Sequence, residues 1–164
     1  MKRIIVALFL FVFALAAYAT GDAVTLWDEL KKQGQVSMNF SLKGTDASGV
    51  VVSSEDGKAS LQGNCYRIEC GDMLICSDGK SMWLFNIATE ELVIDNDEAM
   101  PFMKATNIRK DQQGNINATY VADDITFKVK VSGIAPVSTP WPASFFTIDA
   151  DSLSENVIVT DLRE

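Results

Sequence analysis

The chain has 164 residues, no histidine, three cysteines, and 22 acidic against 14 basic side chains, a formal net charge of −8. Without imidazole it lacks the usual general base of hydrolases and the commonest metal ligand, and an acidic surface repels nucleic acid and anionic bilayers. Its length suits one domain with a substantial core.

In chain order, Lys2 and Arg3 precede an uncharged apolar run from Ile4 to Ala17, which ends in the small-x-small sequence Ala17-Tyr18-Ala19. The run falls short of the roughly 20 apolar residues that a membrane-spanning helix needs. These are the marks of a cleavable signal peptide, so residues 1–19 are expected to be removed and residues 20–164 to form a single exported domain. Without Lys2 and Arg3 the balance becomes 12 basic against 22 acidic residues, a net charge of −10. The first cysteine is Cys65, too late for a lipid anchor, and the exported chain is expected to have no stable membrane insertion.

Asp22 is placed to cap an amphipathic helix that carries Val24, Leu26, Trp27 and Leu30 on one side and runs to Gly34. The period then changes to two. Val36, Met38, Phe40 and Leu42 alternate with polar residues, which predicts a strand with one apolar face. Short β-like runs follow, separated by turn signals at Thr45 to Gly49, Asp56-Gly57, Gly63-Asn64, Gly71-Asp72, Asp78-Gly79 and Asp123-Asp124, the spacing of an antiparallel meander. A two-residue turn at Asp78-Gly79 pairs Ile75 with Met82 and Leu74 with Trp83, and the turn at Gly71-Asp72 pairs Ile68 with Ile75.

Tyr66, Ile68, Ile75, Met82 and Leu84 then share one apolar face. Arg67, Glu69, Leu74, Cys76 and Trp83 share the other, where Leu74 and Trp83 call for cover by the helix or a loop. Asp95 to Asn115 reads as a long loop with a helical turn, holding Met100, Pro101, Phe102, Met103 and Ile108. Strands resume at Ile116 to Val121 and Ile125 to Val131. Pro136 to Pro142 cannot be an interior strand, and Ser144 to Asp149 and Val157 to Leu162 are the last two predicted strands. The class is mainly β with a few helices.

Candidate sites are sparse. Cys65 and Cys70 point to opposite faces of one strand. Cys65 and Cys76 lie diagonally across a hairpin at about 7–8 Å, near the limit for a disulfide, so buried free thiols are the preferred reading. The C-x4-C-x5-C spacing without histidine does not fit zinc. The run Asp95-Asn96-Asp97-Glu98 lacks the glycine and distal glutamate of a calcium loop, and no catalytic constellation can be assembled. No metal, no cofactor and no enzymatic activity are expected. The remaining signal is apolar surface, which fits an ordinary core or a cavity for an apolar ligand.

From Tyr66 to Ile94 the sequence YRIECGDMLICSDGKSMWLFNIATEELVI resembles the periplasmic lipoprotein carriers of the LolA type. That family has a run like L-x-V-S-D-G-K-x-L-W-x-Y, and Leu74, Ser77, Asp78, Gly79, Lys80, Met82, Trp83 and Phe85 take its places. Element order agrees, Pro101-Phe102 is similar to the family's Pro-Phe loop, and Trp141 to Arg163 resembles LolA-type proteins of the Bacteroidetes. The resemblance implies an open antiparallel half-barrel covered by the N-terminal helix and the helical loop. Its apolar concave face is formed by Val36, Met38, Phe40, Leu42, Tyr66, Ile68, Ile75, Met82 and Leu84. Leu26, Trp27, Leu30, Met100, Phe102 and Met103 form the lid or gate. The implied partners are acylated lipoproteins, an inner-membrane lipoprotein-releasing transporter and an outer-membrane acceptor, with the chain periplasmic. Two departures stand out: Gln62 occupies the slot of an arginine thought to hold the family's lid, and the chain is short after the loop. The open alternative is a secreted β-rich module that binds protein or glycan and has no lipid cavity.

Overall fold

A computed structural model describes residues 30, 32–97, 106–122 and 124–163. Among them the chain forms one open ten-stranded sheet. In chain order the strands are β1 (Gln35–Thr45), β2 (Val51–Gln62), β3 (Cys65–Cys70), β4 (Met73–Ser77), β5 (Ser81–Asn86), β6 (Glu91–Asn96), β7 (Thr106–Lys110), β8 (Ile116–Ala122), β9 (Ile125–Pro136) and β10 (Ile158–Asp161). Across the sheet they run β10-β6-β5-β4-β3-β2-β1-β9-β8-β7, and every pairing is antiparallel except the parallel β10–β6 edge. β1 shows why: its apolar residues alternate strictly, and it is buried at alternate positions from Val36 to Gly44.

Several expectations are corrected. Asp56-Gly57 is not a turn but the middle of β2, where Gly57 faces Phe40. A Cβ there would lie 2.3 Å from the Phe40 ring and 2.6 Å from the Glu69 carbonyl oxygen, so the glycine makes room for an aromatic ring rather than for a bend. The Asp78-Gly79 connection is wider than two residues, because the Asp78 carboxylate accepts from the amides of both Lys80 and Ser81. The register becomes Ser77 opposite Met82 and Ile75 opposite Leu84. A shift of two residues preserves side-chain parity, so the predicted faces survive. Ile68 does pair with Ile75.

The predicted 95–115 loop contains a strand, β7, in its second half. β9 runs past Val131 to Pro136, crossing a bulge opposite Ser37 and Asn39 where Gly133 has φ +61°. The predicted strand Ser144 to Asp149 is instead a short 3-10 turn, Ala143–Phe146, followed by extended chain. The predicted closing strand is present as β10. The described residues contain no helix long and apolar enough to cross a membrane. Of the predicted N-terminal helix only its end is described, and the helical turn around Pro101 lies outside the described residues.

Candidate functional site

Strand register gathers the predicted face residues into rows. One row runs Val36–Leu61–Tyr66–Ser77–Met82, the next Met38–Ala59–Ile68–Ile75–Leu84, and a third Phe40–Gly57–Cys70–Met73. Leu42 follows at the end of β1, opposite Val129. Eight of the nine predicted residues are buried, Leu84 is half-buried, and all nine belong to one apolar cluster. Sequence reasoning missed Leu61, Cys70 and Met73 on β2 to β4, and Ile116, Ile125, Phe127, Val129 and Val131 on β8 and β9. For β9 the signal was present in the alternation Ile125-Thr126-Phe127-Lys128-Val129-Lys130-Val131, which has the same period as β1.

Leu30, the one predicted lid residue that is described, is 3% exposed and packs into this cluster. Leu26, Trp27, Met100, Phe102 and Met103 lie outside the described residues. Beside the buried Ser77, the face carries the Tyr66 hydroxyl, which donates to Asp97 Oδ1 at 2.8 Å. Burial first, and then the Asp97 carboxylate, push the phenol's ionisation far above its ordinary range, so Tyr66 acts as a neutral donor.

The opposite face is divided. On β4 to β6 it is apolar, with Cys76, Trp83, Leu92 and Ile94 buried together with Ile148 and flanked by Leu153 and Val157. The required cover is thus supplied by the C-terminal segment. Two side chains hold that segment. The Gln62 side-chain amide donates to the Trp141 carbonyl at 3.2 Å and accepts from the Trp141 amide at 2.9 Å, so Gln62 grips the C-terminal chain. Arg67 lies 5.0 Å over the Phe145 ring, donates to the Phe145 carbonyl and pairs with Glu69.

All three cysteines are free. Burial pushes the Cys70 and Cys76 thiols up to about 11, Cys76 against the lowering effect of Arg67, and Cys65 is raised by burial, Asp78 and Asp97. Thiolate, the reactive form, is therefore scarce at neutral pH. Iodoacetamide is expected to label the folded protein slowly at Cys65 and to reach Cys70 and Cys76 only on unfolding. Mass spectrometry of labelled peptides checks this, and rapid labelling of Cys76 in the folded chain would contradict it. Among the described residues no group of histidine, cysteine and carboxylate side chains is arranged to hold a metal ion.

No protein-family model matches the sequence. An outer-membrane lipoprotein carrier protein of Erwinia tasmaniensis is 28% identical over 139 residues, covering 79% of this chain and 68% of that protein. One from Shewanella loihica is 31% identical over 94 residues, covering 54% of this chain and 45% of that protein. The chain thus spans about two thirds of the first relative and less than half of the second. Among solved structures, an uncharacterised conserved protein from Thermus thermophilus shares the fold with a TM-score of 0.51 at 10% identity, over 85% of this chain and 99% of that one. Both alignments are to outer-membrane lipoprotein carrier proteins, and the chain is similar to that LolA-like family.

Proposed function

We propose that the protein is a periplasmic carrier that takes the acyl chains of lipoproteins against the face bearing Tyr66 and delivers them to the outer membrane. The observation that carries this reading is a continuous apolar face, drawn from β1 to β5, β8 and β9, on a sheet whose two edges do not close on each other. In this reading the sheet curls into a half-barrel. The N-terminal helix, through Leu26, Trp27 and Leu30, and the loop with Met100, Phe102 and Met103 form a lid that the cargo displaces. Flexible methionines suit a lid that must repack. Buried methylenes contribute about 0.8 kcal/mol each, so one long acyl chain is held by on the order of 10 kcal/mol. Release into water is then too slow to serve transport. The carrier has to be loaded by an inner-membrane transporter and emptied by direct hand-off to an acceptor with its own apolar site.

Uptake of a fluorescent fatty acid by the purified mature chain tests the reading, together with native mass spectrometry of protein from its host. Saturable uptake is expected. Leu84→Lys, a change at a half-buried position of the face, is expected to reduce it about tenfold or more by placing a charge where the chain would lie. A chain that stays empty in both measurements would favour a secreted binding module whose apolar face is filled by its own side chains.

A further inference from the structure

The net charge of −8 conceals a segregation by strand. On the face opposite Tyr66, Lys43 lies directly across from Lys128. The adjacent row is Arg109–Asn117–Lys130–Ser41–Asp56, and the one after it Ser132–Asn39–Lys58–Glu69. All five cations are exposed. The ion pairs among the described residues, Arg67–Glu69 and Arg163–Asp161, involve none of them. Like charges directly opposed across strands disfavour the isolated fold, and an approaching anionic surface relieves that repulsion.

On the other side of the Lys43–Lys128 row, toward the ends of the hairpins, the register brings Val51, Thr45, Thr126 and Val121 into line. Val51 is 48% exposed and Val121 63%, and the flanking Val50 and Val52 are exposed as well. These valines stand about 7 Å beyond the lysine row, two residues along the strand. Of the nearby carboxylates, Asp46 is turned back onto Ser48 and Val50, Asp111, near enough to Lys130 to feel its charge, is bonded to Gln113 and Asn115, Asp124 sits in the β8–β9 turn, and Asp56 lies at the far end of the patch. Exposed Asp149, Asp151, Glu155 and Asp161 belong to the C-terminal segment and β10, on the opposite half of the sheet.

We propose that this end of the sheet docks reversibly on an anionic phospholipid bilayer, with the valines entering the interfacial region and Lys43, Lys128, Lys130 and Arg109 facing headgroup phosphates. Peripheral attachment needs two weak signals together, an apolar one and a cationic one, and the structure arranges them in the order that a bilayer presents its layers. An acidic protein would answer the cations but leave the valines without a role. The acidic half of the molecule, repelled by the same surface, orients the patch toward it.

The test is cosedimentation of the full mature chain with vesicles rich in phosphatidylglycerol, against vesicles of phosphatidylcholine alone. Binding to the first and not the second is expected, lost at high salt. Lys128→Gln with Lys130→Gln should weaken it about tenfold or more, and Val51→Ser with Val121→Ser should weaken it while leaving its salt dependence. Both pairs sit at exposed or strand-surface positions, so circular dichroism and fatty-acid uptake should be unchanged, which separates failure here from failure of the carrier reading. Equal binding to both vesicles, no binding to either, or an unaffected lysine pair would overturn the proposal. So would retention on a polyglutamate resin without vesicle binding, which would point to an acidic protein instead.

Discussion

Replacing Phe146 by alanine is expected to cost about 3–5 kcal/mol of folding stability, the range for deleting a fully buried aromatic ring. Phe146 is 1% exposed. Its ring meets Trp141 edge-on at 6.0 Å and Phe145 edge-on at 5.1 Å, while Phe145 stacks on Trp141 at 5.3 Å. Removing it takes one side out of a three-ring cluster that Arg67 and Gln62 fasten to β2 and β3. The void is not the whole effect, since the same segment covers Trp83, Leu92 and Ile94. Urea denaturation followed by tryptophan fluorescence measures both parts: a lower midpoint, and a native spectrum shifted to the red as Trp141 and Trp83 gain water. An unchanged midpoint would mean that the C-terminal segment is an appendage to the folded core and not part of it.

Tyr66→Glu is expected to destabilise the fold by several kcal/mol at neutral pH, because it sets a carboxylate at a position 3% exposed and beside Asp97. Burial and the like charge raise the folded-state pKa of the new group above its unfolded value of about 4.3. Its protonated form is therefore favoured by folding. The deficit relative to the native sequence should shrink as pH falls through the raised folded pKa and should be complete above it. Tyr66→Phe, which loses the hydroxyl and with it the hydrogen bond to Asp97, should cost about 1–2 kcal/mol. A pH series of chemical denaturation on the three proteins checks this, and a Tyr66→Glu deficit independent of pH would show that the new side chain escapes to water.

The apolar face was legible in the sequence because a period of two needs no knowledge of register. The Asp78-Gly79 connection is misjudged by two residues, yet Tyr66, Ile68, Ile75, Met82 and Leu84 remain on one side. Composition misled where tertiary packing overrides local chemistry. Asp56-Gly57 has the composition of a turn, but its glycine is there to admit the Phe40 ring. Ser144 to Asp149 alternates like a strand, but Ala143–Phe146 forms a 3-10 turn whose Phe145 is held by Arg67, from a part of the chain that no local window contains. The grip of Gln62 on Trp141 spans 79 positions and left no trace in the sequence. The cationic end of the sheet was hidden for a related reason: Lys43 and Lys128 are distant in the chain and adjacent only through the β1–β9 pairing.

That β1–β9 pairing also governs how the chain reaches its fold. β2 to β6 are a succession of neighbours closed by short turns, contacts that form early because little loop entropy opposes them. β1 is fixed on one side by its hairpin with β2, but its other edge waits for a strand that follows the whole meander and the β7–β8 hairpin. Such distant contacts make assembly slow. Until β9 arrives, β1 presents an unpaired edge with Val36, Met38, Phe40 and Leu42 beside it, the kind of surface on which incomplete chains associate. Joining the two halves of the sheet along β1 is therefore expected to be a late and slow step in folding.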